Sequence, residues 1–302
     1  MSLKNKIATS NSILTVPLKY FFYKYKNKYY EVNDLIKSSK IENDVITITL
    51  KNGLILQDLA SEKPAEIQFT DRIKYGNPNK MDKILDVERF FFIYEIISEL
   101  YVNTVHFKYF DIKEGDIVVD AGANIGGFTL QAAKKVGKNG RVITFEPNER
   151  NMKILQMNCK ANNFDNVIFC KKGLWSKKET LEFFESHRKG EHSLIHNDEQ
   201  HDKFNLSSTK IEVDTLDNLL KEMNINKVDF LKMDIEGAEF HAIKGATNSI
   251  LKQDNIKVLI EIHLADGEMT DKKIIPLLNE YKFEILESGS NYRMPVFAKK
   301  SK

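Results

Sequence analysis

The stretch Val118–Leu130, VVDAGANIGGFTL, restricts the fold more than any other part of the chain. Valines with apolar neighbours on both faces suit a strand buried in a parallel sheet. They run into Asp120 and then into Gly122, Gly126 and Gly127, spaced among small residues. Glycines let the chain turn sharply and let the backbone come close to a ligand. An apolar segment that reads as a helix follows. Strand, glycine turn and helix in that order open a doubly wound α/β sheet, whose ligands sit beyond the carboxyl ends of its strands.

Strands and helices then alternate. RVITFEP and NVIFCKKGLW read as the second and third strands, with the helix ERNMKILQMNCKANN between them, capped by Asn148. TLEFF is a further strand, and TKIEVDTLDNLLKEM a strand followed by a helix with a Thr or Asp cap. VDFLKMD and IKVLIEIH are the fourth and fifth strands of the core series, separated by the helix AEFHAIKGA, which Gly245 ends. DKKIIPLLNEY reads as a helix in spite of Pro276. KFEILESG and PVFAKK close the sheet as an antiparallel pair. The expected fold class is therefore α/β, a Rossmann-like doubly wound and mostly parallel sheet.

Residues 1–85 differ in character, so the chain is expected to comprise an α+β extension, 1–85, and a main domain, 86–302. DVITITLKNGLILQDL reads as a hairpin turned at Asn52-Gly53. VPLKYFFYKYKNKYYEVND mixes aromatics with lysines and reads as a peripheral element with its aromatics inward. Met81–Val105 has helical apolar spacing. The extension is a candidate for substrate choice or for pairing into a homodimer.

Composition excludes several classes. The formal net charge of +2 on 302 residues gives no global basic field for nucleic acid. The two cysteines, Cys159 and Cys170, have no zinc spacing and read as buried thiols. No apolar run reaches the roughly 20 residues of a membrane span. Pro17 and Lys19 interrupt any signal-peptide core, so a cytoplasmic protein is expected.

Polar groups gather where the strands end: Asp120, Glu146, Lys172-Gly173, Asp234 and Glu261–His263. Glu146 lies 24 residues after Gly122 (146 − 122), where a carboxylate accepts hydrogen bonds from ribose hydroxyls. That much fits a dinucleotide and S-adenosylmethionine alike. Asp120 separates them. A carboxylate just before the turn repels an anionic pyrophosphate, whereas it suits a ligand carrying an ammonium and a sulfonium.

VVDAGANIGGFTL, FEPNERNMKILQMN, VDTLDNLL and VDFLKMDIEGAEFHAIKGA followed by IEIH together resemble the FkbM family of S-adenosylmethionine-dependent methyltransferases. The resemblance spans roughly residues 90 to 290. It implies a class I methyltransferase fold of strand order 3-2-1-4-5-7-6 and methyl transfer, commonly to a hydroxyl of a sugar or secondary metabolite. It implies further that Asp120, Gly122, Asn124 and Gly126 hold the methionine end of S-adenosyl-L-methionine and Glu146 the ribose, with Ala123 and Pro147 also among the cofactor-binding residues. Gly173 and Leu174 would border the adenine, and the segment carrying GEHSLI would lie near the acceptor.

A hydroxyl is a poor nucleophile until a base takes its proton. Asp234, Glu236 and His263 are the candidate catalytic residues. Asp234 also lies next to the transferring methyl, and His263 is expected to titrate near neutrality. Asp234, Glu261 and His263 form an oxygen-rich set of the kind that can hold Mg²⁺, although the preferred reading takes no metal. Glu239 and His241 are read as a solvated face or local packing. His187, His192, His196 and His201 are read as solvated side chains of a segment that closes over the site. The partner is expected to be a small-molecule or glycan acceptor. An RNA or protein methyltransferase is the nearest alternative; an NAD-dependent oxidoreductase and a non-catalytic S-adenosylmethionine-binding module are more distant ones.

Overall fold

In a computed structural model, the described residues are 32, 34–59, 93, 96–103, 105–185, 192–195, 207–288 and 295–301. Nearly all of the aromatic and lysine segment, most of Met81–Val105, and His187, His196 and His201 lie outside them.

The main sheet is built from β4 (Ile117–Ala121), β5 (Arg141–Phe145), β6 (Val167–Cys170), β10 (Phe230–Met233), β11 (Ile256–Ile260), β14 (Glu284–Glu287) and β15 (Val296–Lys300). Its order is β6-β5-β4-β10-β11-β15-β14, which reads 3-2-1-4-5-7-6 when these strands alone are counted along the chain. The four pairings from β6 to β11 are parallel, and β15 runs antiparallel to both its neighbours. Helices α1 (Gly127–Val136), α2 (Glu149–Ala161), α3 (Leu216–Glu222), α4 (Glu239–Lys244) and α5 (Asp271–Glu280) accompany it. Apolar side chains alternate to both faces of β4, β10 and β11, so one core forms on each side. This is a class I methyltransferase-like α/β fold with a central mixed sheet.

Local signals place the helix ends. Asn148 and Thr215 cap α2 and α3, accepting from Asn151 N at 3.0 Å and Asn218 N at 3.1 Å. Pro276 sits inside α5. Pro276 and Lys272 are both exposed, so the carbonyl that the ring leaves without a partner lies where water satisfies it. NVIFCKKGLW does not form one strand. After β6 the chain leaves the main sheet, and β7 (Gly173–Leu174) pairs with β9 (Ser207–Asp214), which pairs in turn with β8 (Glu179–Glu185).

Before the main sheet, β1 (Ile36–Glu42), β2 (Val45–Leu50) and β3 (Ile55–Leu59) form an antiparallel sheet. Gly53, at φ 89°, makes the turn between β2 and β3. β1 is an addition to the two expected strands. It joins β2 through Asn43 and Asp44, both at positive φ, the turn that hairpins favour.

The edge of β3 is covered by a helix. Asn162 Oδ1 accepts from Ile55 N at 2.8 Å, and Asn162 Nδ2 donates to Ile55 O at 2.7 Å. Asn158 repeats this one turn earlier, accepting from Gln57 N at 2.6 Å and donating to Gln57 O at 3.1 Å. The i, i+4 spacing on α2 thus answers the i, i+2 spacing of a strand edge. Arg150 adds an ion pair to Asp58. Ile46, Ile48, Leu50, Leu54 and Leu56 share one core with Phe128 and Leu155 of the main domain.

Candidate active site

Gly122 begins the turn that leaves β4, at φ 77°. A Cβ there would stand 1.7 Å from the carbonyl oxygen of Asp234, so the ends of β4 and β10 touch through bare backbone. Gly126, at φ 98°, lets α1 start against Leu155. Between them Asn124 is held at φ 51°, and its buried Oδ1 has no hydrogen-bond partner among the described residues. Ala123 is buried and donates to Phe145 O at 3.2 Å.

Glu146 follows β5 directly, with a buried carboxylate. Its Oε1 accepts from Asn148 N at 2.9 Å and its Oε2 from Asn124 N at 2.8 Å. Burial outweighs these donors and pushes its pKa up to about 7. Pro147, half-buried, follows it.

Asp120, at the end of β4, is wholly buried. Its side chain is 0% exposed, accepts from Thr129 Oγ1 at 2.6 Å and lies 3.5 Å from Lys232 Nζ. Its Oδ1 has no hydrogen-bond partner among the described residues. Lys232, to which the motifs gave no role, is the residue that ties the strand ends together. Its buried ammonium donates to Gly122 O at 3.1 Å and lies 3.5 Å from Asp234 Oδ2. A lysine inside a hydrophobic strand was the available signal, since such a residue is rarely buried unless paired.

The turn after β10, Asp234-Ile235-Glu236-Gly237, gathers a second set. Glu239, in the first turn of α4, is wholly buried. Its Oε1 accepts from Ile235 N at 3.2 Å and Gly237 N at 3.1 Å and pairs with His263 Nδ1 at 2.8 Å. His263 Nε2 lies 3.5 Å from Glu236 Oε2 and 3.7 Å from Asp234 Oδ1. Burial alone would favour a neutral imidazole. Glu239, Glu236 and Asp234 outweigh it and hold the His263 pKa well above its ordinary value. The expectation of a histidine titrating freely near neutrality therefore fails, because three carboxylates surround it. Burial likewise disfavours ionised Asp234, but Lys232, His263 and His106 bring its pKa below the usual carboxylate value.

The Methyltransferase FkbM domain matches residues 120–285, more than half of the 302. The chain belongs to the FkbM methyltransferase family. It is similar to Methyltransferase 1 of Beauveria bassiana, 27% identical over 199 residues, 60% of this chain and 74% of that protein. It is also similar to the hexuronic acid methyltransferase AglP of Haloferax volcanii, 28% identical over 172 residues, 57% of this chain and 65% of that protein. Among solved structures, an FkbM methyltransferase from Methylobacillus flagellatus aligns with a TM-score of 0.45 and 19% identity, over 70% of this chain and 54% of that one. The alignment thus spans about half the length of that FkbM structure.

The remaining expected positions of this FkbM methyltransferase fall as follows. Gly173 and Leu174 are buried in β7, with Leu174 in the core beside Cys170 and Leu216. Glu261 stands apart from the Asp234 cluster: its carboxylate pairs with His106 Nε2 at 3.1 Å, so the set expected for a cation, Asp234, Glu261 and His263, is not the one brought together. Glu239 is not on a solvated face. His241 packs locally, its ring stacked on Trp175 at 3.9 Å between centroids.

His192, expected in solvent, is partly buried 5.9 Å from the Phe183 ring, and burial lowers its pKa to about 4. In the same segment Ser193 Oγ donates to Glu236 O at 2.6 Å, and Ile195 lies over Gly237. Ser193 and Ile195, from the described part of this segment, therefore meet the acidic turn. Among the described residues, no helix is long and apolar enough to cross a membrane.

Proposed function

We propose that this FkbM methyltransferase uses S-adenosyl-L-methionine to methylate a hydroxyl oxygen of a sugar or glycan. One observation carries the reading: the Gly122 backbone abuts the Asp234 carbonyl, so the glycine turn and the Asp234–Glu236–His263 cluster share one edge of the sheet.

The residues of the turn fit the donor. The orphaned Asn124 Oδ1 supplies a side-chain acceptor beside Gly122 and Gly126. Glu146 offers its carboxylate to the ribose hydroxyls from a position fixed by two backbone amides. Asp120 acts through Lys232 and Thr129, setting the end of β4 rather than touching the ligand. When bound, the donor supplies an electrophilic methyl group on a sulfonium centre.

The chain's own contribution is orientation and proton management. Asp234, held ionised by Lys232, His263 and His106, accepts a hydrogen bond from the acceptor hydroxyl and draws off its proton. His263, fixed by Glu239, orients Asp234 and Glu236. Holding acceptor and donor in line supplies much of the rate enhancement. The hexuronic acid methyltransferase AglP supports a sugar acid as the first acceptor class to test.

The test is incubation of the full chain with S-adenosylmethionine and a panel of hexuronic acid glycosides, neutral glycans and phenolic metabolites. S-adenosylhomocysteine release is measured, and NMR assigns the new methyl. A methoxy signal on a sugar carbon is expected. Methyl incorporation into only RNA or protein fractions, or onto nitrogen, overturns the reading.

A further inference from the structure

We propose that Asp234, Glu236 and His263 form a binding site for one hard divalent cation of the Mn²⁺ or Mg²⁺ class. Their ligand atoms all lie within 4.8 Å of one another. His263 Nε2 is 3.5 Å from Glu236 Oε2 and 3.7 Å from Asp234 Oδ1, longer than the roughly 2.7–2.9 Å of a charge-assisted hydrogen bond. The two separations from His263 match the edges of a coordination shell, and the third, between the carboxylates, closes on a small side-chain adjustment from within 4.8 Å. Donors about 2.1–2.3 Å from a shared ion, and roughly 90–120° apart, stand about 3.0–4.0 Å from one another.

A second feature lies outside these three side chains. Glu239 holds His263 Nδ1 at 2.8 Å, so Nε2 is the nitrogen turned toward the two carboxylates. A carboxylate behind an imidazole is the arrangement that orients metal-ligating histidines and raises their basicity. Glu239 Oε2, in a side chain that is 0% exposed, has no hydrogen-bond partner among the described residues. Lys232 approaches Asp234 through Oδ2, the oxygen opposite the one near His263.

The donor set selects the ion. Two carboxylates and one imidazole, with no thiolate, favour Mn²⁺ or Mg²⁺ over soft metals. Cys159 and Cys170 are buried elsewhere, on α2 and β6. Bound at this edge, the ion would stand beside the glycine turn and lower the pKa of a coordinated acceptor hydroxyl. That role rests on the function proposed above; the site itself does not.

Mn²⁺ is titrated into the chelator-treated full chain, without donor or acceptor, and free Mn²⁺ is followed by its EPR signal. One Mn²⁺ per chain is expected, competed by Mg²⁺. Binding should weaken at least tenfold in Asp234→Asn and in Glu236→Gln, and about 10–100-fold in Glu239→Gln. Far-UV circular dichroism checks folding, and Glu236→Gln, on a side chain 20% exposed, carries the test if the buried variant fails to fold. No binding by the wild type overturns the site, as does binding that survives in the Asp234→Asn/Glu236→Gln double variant. Since no acceptor is present, an error in the proposed acceptor would show separately, as protein that binds Mn²⁺ yet transfers no methyl group to sugars.

Discussion

The ribose-binding role proposed for Glu146 ties donor binding to pH. The Glu146 carboxyl has a pKa of about 7 because burial outweighs the amides of Asn148 and Asn124. Against the ordinary 4.5, that is a shift worth about 3 kcal/mol. The folded value lies above the unfolded one, so this group's contribution to the stability of the empty protein is fully present below pH 4.5. It is lost as pH rises from there through about 7. Donor binding runs the other way. Ribose hydroxyls need an ionised acceptor, and with a pKa of 7 only about one tenth of Glu146 is ionised at pH 6, against about nine tenths at pH 8. Affinity for S-adenosylhomocysteine should therefore rise about tenfold from pH 6 to pH 8, with nearly one proton released per molecule bound near pH 6. Isothermal titration calorimetry in two buffers of different ionisation enthalpy measures both quantities. Glu146→Gln should bind more weakly throughout and lose the slope, since its NH₂ must face one of the two amide donors. A wild-type affinity that changes less than twofold over this range, or a slope that persists in Glu146→Gln, would refute the assignment.

Gly122→Ala would place a methyl group 1.7 Å from the Asp234 carbonyl, so S-adenosylhomocysteine affinity should fall at least tenfold and the melting temperature by several degrees; unchanged values would show that the strand ends do not touch. Lys232→Met removes the partner of the wholly buried Asp120 and should cost about 3–5 kcal/mol in urea unfolding, whereas a purely surface role would leave the midpoint in place. Asn158→Ala deletes bonds to Gln57 N, Gln57 O and Ile125 O, at a cost of about 2–3 kcal/mol. Its mark should be faster amide exchange at Ile55 and Gln57, ahead of any change in β4 or β10, and uniform exchange would count against the docking role.

Local chemistry made the framework legible. Helix α1 lies where GFTLQAAKKV places it, Asn148 and Thr215 cap as short polar side chains do, and Gly53 turns the hairpin. These features depend on residues close in sequence, so a single stretch contains the whole cause. The motif around Gly122 likewise marked a close backbone approach, here to the Asp234 carbonyl, because only glycine tolerates both that φ and that proximity. β1 was missed because its exposed lysines and serines lack strand hydrophobicity, although the Asn43-Asp44 turn was a usable signal.

What the tertiary structure decided is which charges meet. Asp120 lies more than a hundred residues before Lys232, and only the parallel pairing of β4 with β10 brings their side chains to 3.5 Å, beside Asp234. Glu261 turned to His106, across 155 positions, while Glu239 turned to His263. A sequence records that each of these residues can ionise. Whether it does depends on burial and on partners, and both are set by packing at long range. Chain order fixed the edge at which chemistry can occur; folding fixed the protonation of the groups placed there.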